Sequence, residues 1–191
     1  MNIFGLTGKT GAGKSTVSLL LQEKGFYIID GDVLARKVTE KGSKVLHELS
    51  DSFGSDIILS DGSLDRKLLV RKVTERENGT EILNSITHPA IDELIVNEIK
   101  KAENKGFENC IIDAAALLES PSKRHCKKMI VVTAPMETRL ERIVLRDSIS
   151  KETALQRMAM QKDDEYYLSK ADIIIRNYSP YSLEEEIKKI G

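Results

Sequence analysis

Cysteine is scarce in this chain: Cys110 and Cys126 are the two among 191 residues. A disulfide framework needs more, so a reducing compartment is expected. No C-x-x-C or H-x-x-x-H spacing joins these cysteines or His47, His88 and His125 into a zinc site. Cys110 sits in the apolar Cys110-Ile111-Ile112 and reads as a packed core thiol, whereas the charged flank of Cys126 suggests exposure. An excess of one charge is also missing. Lys and Arg total 29 against 30 Asp and Glu, a net charge of -1, so no global basic field recruits nucleic acid or an anionic membrane. No apolar run approaches the ~20 residues that span a bilayer. Glycine and lysine interrupt the N-terminal apolar stretch within a few residues, unlike a signal peptide. Internal repeats and low-complexity linkers are absent as well. The expectation is a soluble cytoplasmic protein of one domain, a monomer, long enough for a sizeable core.

What is present is an alternation of short apolar runs and longer helical segments, the pattern of an α/β fold with a parallel sheet. Five runs read as strands: Asn2 to Leu6, Phe26 to Ile29, Asn109 to Ile112, Met129 to Thr133 and Asp172 to Ile175. Lys14 to Lys24 has helical apolar spacing at Val17, Leu20 and Leu21, and Gly25 stops it. About eighty residues, Asp30 to Glu108, separate the second and third strands, more than a crossover loop requires. Val33 to Thr39, Lys44 to Phe53, Arg66 to Val73 and Ile91 to Asn104 within them are helical in pattern, so residues 31–108 read as an inserted helical subdomain. Met136 to Lys162, between the fourth and fifth strands, reads as a hinged helical lid reaching about residue 165. Ligands of open α/β sheets bind at the carboxyl ends of the strands.

The first such end carries the richest chemistry. Gly8, Gly13, Lys14 and Ser15 satisfy G-x-x-x-x-G-K-[ST], with Gly11 as a further glycine, between an apolar strand and a helix. Glycines let successive N–H groups face a phosphate, and the helix N-terminus adds partial positive charge. Lys14 is expected to reach the β- and γ-phosphates, and the Ser15 hydroxyl to ligate Mg²⁺. Lys9 has no fixed role in this pattern and is expected to face solvent. The motif does not name an acceptor. The guanine-reading N-K-x-D of GTPases is missing, since Asn104-Lys105-Gly106-Phe107 lacks the aspartate. A small chain with a helical insertion and an arginine-rich late helix reads as a small-molecule kinase.

The second strand ends in Asp30-Gly31-Asp32, with Arg36 one turn further on. Asp32 would project near the γ-phosphate if this strand lay beside the first, where a carboxylate can orient or deprotonate a hydroxyl. Asp-Gly-Asp suits a turn and helix cap equally well, and both readings stand. Arg36 fits either an anionic substrate or a solvated helix face. Asp113, after Cys110-Ile111-Ile112, resembles a Walker-B acid that helps hold Mg²⁺. His88 precedes Pro89 at the expected start of the long helix, where a local turn contact is the default. Arg139, Arg142 and Arg146 share one helical face, and such cations repel unless anions meet them. Glu137, Glu141 and Asp147 supply some neutralisation; the position after strand four favours a phosphate clamp.

Taken together, the chain resembles the dephospho-coenzyme A kinase family. The matching stretches are Gly5-Leu6-Thr7-Gly8 with the phosphate loop; Asp30-Gly31-Asp32-Val33-Leu34-Ala35-Arg36; Leu64-Asp65-Arg66; and Asn84-Ser85-Ile86-Thr87-His88-Pro89. Later ones are Asp113 with Leu117-Leu118-Glu119, Arg139 to Arg142 with Arg146-Asp147, Arg157 to Gln161, and Ala171-Asp172 through Asn177. The resemblance implies a P-loop kinase with a parallel five-stranded sheet, an acceptor-binding helical insertion and a helical lid. It implies phosphoryl transfer from ATP, with Mg²⁺, to the ribose 3′-hydroxyl of dephospho-CoA. By position, Asp32 would be the base or orienting carboxylate, and Gly11, Ala12, Gly13, Lys14, Ser15 and Thr16 would bind the ATP phosphates. Arg142 and Arg146 would belong to the lid and Asn177 would lie near the adenine; Arg36, Arg66 and His88 would line the acceptor side. Gly31 stands where the family usually has alanine, Ala115 where it often has proline, and Ser179 where it has glycine. Lys9 and Thr10 replace a commoner Gly-Ile. Two other readings compete: a kinase for a nucleoside monophosphate or sugar acid, and a non-catalytic nucleotide switch.

Overall fold

The computed structural model describes residues 1–190. Its sheet is built from β1 (Asn2–Gly8), β2 (Tyr27–Asp30), β3 (Asn109–Asp113), β4 (Lys128–Thr133) and β5 (Ile173–Arg176). All four pairings are parallel, in the order β2-β3-β1-β4-β5. Strands buried on both faces read as continuous apolar runs, which is why Ile111, Ile112, Ile130, Val131 and Val132 are almost fully buried. The described residues divide into two compact units, residues 1–30 with 99–190, and residues 31–98.

In the first unit the sheet is followed along the chain by helices. α1 (Lys14–Glu23) turns Val17 and Leu21 into a core shared with Phe4, Leu6, Ile130 and Ile175. The second unit contains α2 (Gly31–Lys37), α3 (Lys44–Phe53), α4 (Arg66–Glu75) and the start of α5 (Gly79–Asn104), within which the boundary falls. Ser43 caps α3 by accepting from the Leu46 N–H (3.1 Å), and Asp65 caps α4 through the Leu68 N–H (3.0 Å). Their apolar faces, led by Leu49, Phe53, Leu69 and Val73, form a separate core with Ile57 of the turn between them. After β4 come α6 (Met136–Asp147) and α7 (Lys151–Ala159), then α8 (Asp164–Leu168) before β5 and α9 (Leu183–Ile187) after it.

Several sequence expectations change. β2 does not lie beside β1; β3 intervenes, with Leu6, Asp113 and Asp30 in register across the three strands. The condition that would have set Asp32 near the γ-phosphate by strand adjacency is therefore not met. α5 starts at Gly79 rather than Ile91 and runs through Pro89, so His88 stands mid-helix. Ile82, Ile86, Ala90 and Leu94 explain this: they recur every four residues and pack together on the α3–α4 core, which offsets the hydrogen bond that proline removes. The 136–162 stretch is two helices, broken where Ser148 adopts a left-handed φ of 52° and Ser150 caps α7 through the Thr153 N–H. Cys126 is half-buried, and burial pushes its thiol up to about 12, as it does that of Cys110.

Candidate active site

Parallel pairing brings the carboxyl ends of β1, β3, β4 and β5 to one edge of the sheet. The loop leaving β1 there is built by its glycines. Gly11 and Gly13 have φ values of 79° and 93°, in the region side chains rarely adopt. A Cβ on Gly11 would meet the Arg139 carbonyl oxygen at 2.5 Å, and one on Gly13 would meet Asn177 Nδ2 at 1.9 Å. Gly13 is the N-cap of α1 and no side chain caps that terminus. The Thr16 and Val17 N–H groups turn back to the Gly13 carbonyl at 3.1 and 3.2 Å. The result is a backbone cradle at a positive helix end, with Ser15 and Thr16 exposed beside it.

Beneath the cradle lies Asp113, 7 % exposed at the end of β3. One carboxylate oxygen accepts from the Lys14 ammonium and the other from the Ser18 hydroxyl. Lys14 and Ser18 are one helical turn apart, so α1 presents both to the same acid. The sequence reading missed Ser18; its spacing from Lys14 was the available signal. On the other side, Arg142 donates from Nη1 to the Gly11 and Ala12 carbonyls (3.3 Å each) and from Nη2 to the Asn177 carbonyl (2.9 Å). Asn177 in turn donates to the Ala12 carbonyl at 2.9 Å. Two residues expected on the donor side, one from α6 and one after β5, thus meet at the phosphate loop.

The three late arginines have different surroundings. Arg139 is 3 % exposed and donates to the Ala134 carbonyl at 3.0 Å. Arg146 lies on the surface and donates to Asp147 at 2.7 and 2.9 Å, and Arg157 reaches the same carboxylate at 2.5 Å. The Arg146 and Arg157 guanidiniums hold Asp147 below the usual carboxylate range. Lys9 does not face solvent: its side chain is 14 % exposed and pairs with Asp164 at 3.0 Å.

In the second unit, Asp32 and Arg36 stand exposed on α2, one turn apart. Arg66, at the start of α4, donates to the Thr39 hydroxyl at 2.8 Å and to the Arg36 carbonyl at 3.4 Å. Arg36 and Arg66 are therefore neighbours. His88 is half-buried on α5, and burial moves its imidazole below the usual 6.5.

The family model for dephospho-CoA kinase matches residues 2–182. The chain belongs to the dephospho-CoA kinase family. The Corynebacterium glutamicum dephospho-CoA kinase is 39 % identical over 91 % of this chain and 86 % of its own length. That of Listeria innocua is 38 % identical, covering 97 % of this chain and 92 % of its own. Among solved structures, a Thermus thermophilus protein superposes with a TM-score of 0.83 at 28 % identity, over 99 % of this chain and 94 % of that one. Dephospho-CoA kinase from Campylobacter jejuni gives 0.70 at 30 %, over 99 % and 95 %. An Acinetobacter baumannii shikimate kinase, at 0.52 and 16 % over 100 % and 91 %, shares the P-loop kinase fold. As a dephospho-CoA kinase, the chain is a transferase that phosphorylates the ribose 3′-hydroxyl of dephospho-CoA from ATP, the last step of coenzyme A synthesis. The competing switch and other-acceptor readings are not favoured.

Proposed function

We propose that the donor is held by residues 11–16 and the acceptor by Asp32, Arg36, Arg66 and His88. The cradle at the start of α1, with Lys14 already drawn to the strand-end acid, is the observation that carries the donor half. The backbone N–H groups from Gly11 to Thr16 take the β- and γ-phosphates, and Lys14 exchanges Asp113 for the γ-phosphate oxygens as charge builds there. Arg142, already hydrogen-bonded to the loop, adds its charge to the same group, with Arg146 further along α6 and Asn177 toward the base. Asp32 takes the proton of the ribose 3′-hydroxyl as its oxygen attacks the γ-phosphorus and the bond to the β-bridging oxygen breaks, releasing ADP. Arg36 and Arg66 hold the acceptor's phosphates.

The family chemistry implies Mg²⁺. Among the described residues no cluster of three His, Cys, Asp or Glu forms a metal site. A hydroxyl and a carboxylate, Ser15 and Asp113, fit a hard cation that takes its remaining ligands from water and the nucleotide phosphates. Bound there it would neutralise phosphate charge. Among the described residues no helix is long and apolar enough to cross a membrane. The proposed location is the cytoplasm, in keeping with free thiols at both cysteines, and with a near-neutral charge no nucleic-acid partner is proposed. The enzyme is proposed to act as a monomer.

Two measurements test these assignments. ADP release followed with dephospho-CoA, nucleoside monophosphates and gluconate side by side should depend on dephospho-CoA. Asp32→Asn should lower kcat by about two to four orders of magnitude while ATP binding survives; near-normal turnover would remove Asp32 from the chemistry.

A further inference from the structure

Lys9 and Thr10 occupy the outer edge of the phosphate loop, where the motif assigns no chemistry. Both are nevertheless held. The Thr10 N–H donates to Gln161 Oε1 at 2.9 Å, and Lys9 Nζ pairs with Asp164 Oδ1 at 3.0 Å. The partners lie three residues apart, just after α7 and at the start of α8. The Lys9 carbonyl also accepts from the Ala12 N–H at 3.0 Å, closing the turn that leads into the cradle.

A lysine withdrawn from water needs a partner. Lys9 is mostly buried although Asp164 is 61 % exposed, so the pair sits at the rim of the loop, where solvent screens it in part. It fixes where the loop edge lies chiefly by meeting the need of the buried ammonium. Asp164 Oδ1 also lies 3.7 Å from Arg139 Nη2, and Arg139 Nη1 is buried without a hydrogen-bond partner. The same carboxylate therefore answers two cations, one under the loop and one on it. Gln161 is attached to α7 in turn: its N–H bonds the Met158 carbonyl at 3.2 Å, and Met158 packs in the apolar cluster of Leu140, Ile143 and Ala154 that joins α6 to α7.

We propose that Lys9 and Gln161 are positioning residues for the donor nucleotide: they fasten the outer edge of the phosphate loop to the segment after α7, so that the α6–α7 pair sets the orientation of the cradle's N–H groups. The proposal rests on the donor side of the assigned reaction. Asp164 is a poor probe, because its removal leaves buried Arg139 without a carboxylate and risks the fold. Lys9 and Gln161 are the informative positions.

Steady-state kinetics with ATP and dephospho-CoA varied separately, together with equilibrium binding of a fluorescent ATP analogue, provide the test. Lys9→Ala and Gln161→Leu should each raise KM for ATP and the analogue Kd about three- to tenfold. KM for dephospho-CoA and kcat at saturating ATP should stay within about twofold. The double variant should fall short of the product of the singles, since both ties hold one loop edge. Lys9→Arg should retain wild-type affinity. A lower Tm with unchanged ATP affinity would mean a merely structural tie and overturn the proposal. So would equal rises in both KM values, or a Lys9→Arg variant as weak as Lys9→Ala. Analogue binding needs no acceptor, so failure of dephospho-CoA as substrate would count against the reaction and not against this tie.

Discussion

Asp113 shows how much one side chain in this site depends on its neighbours. Both of its oxygens are engaged, one by Lys14 and one by Ser18, under a cover that leaves the residue nearly dry. If Lys14 moves to a phosphate, Ser18 is what keeps the carboxylate aimed. Ser18→Ala should therefore cost about 1–3 kcal/mol, the penalty for a buried acceptor that loses its donor. Thermal unfolding should register a fall of several degrees, and an unchanged Tm would show that the contact carries no weight. The phosphate loop was legible from sequence, because Gly11, Gly13, Lys14 and Ser15 are fixed by local spacing. Lys9 was not: its partner Asp164 is over 150 positions away, and spacing carries no information about a tertiary ion pair. Arg139 failed similarly, since three arginines at helical spacing share a face whether that face meets solvent, phosphate or the underside of a loop.

Strands were the most legible elements, because burial on both faces leaves unbroken apolar runs. Their order was not legible: nothing in β2 distinguishes a neighbour of β1 from a neighbour of β3. Helix α5 was expected to start only near Pro89, although the stripe from Ile82 to Leu94 runs straight through that proline. The joint between α6 and α7 was hidden for another reason, since serine carries no strong preference for the left-handed φ of 52° seen at Ser148. That exposed joint gives an element-scale prediction. A side chain there strains the backbone that glycine adopts freely, so Ser148→Gly should stabilise by about 0.5–1 kcal/mol, and β-branched Ser148→Val should destabilise by at least as much. Urea midpoints for the two variants should move in opposite directions; a loss on Ser148→Gly would contradict the strain.

At the scale of the whole molecule, acid should act in two steps set by different groups. Several carboxylates are held below their usual range: Asp56 by the Lys72 ammonium, Asp61 by Ser63, and Asp147 by Arg146 and Arg157. Burial alone would raise Glu186, but Lys189, the Arg176 N–H and their charges outweigh it. These groups favour the folded state above the ordinary carboxylate range near 4, and lose that contribution only as pH falls below it. His88 belongs to a higher window. Burial lowers its imidazole below 6.5, so between the folded value and 6.5 the unfolded chain binds more protons than the folded one. Stability then rises with pH across that interval, is complete above 6.5, and declines as pH falls through it. His88→Gln removes the titration and leaves the carboxylates in place. The difference in unfolding free energy between wild type and His88→Gln should therefore be constant above pH 6.5 and shift against wild type as the pH drops, before the carboxylates begin to protonate. A difference that stays flat down to pH 5 would mean that His88 is as readily protonated in the fold as in the unfolded chain.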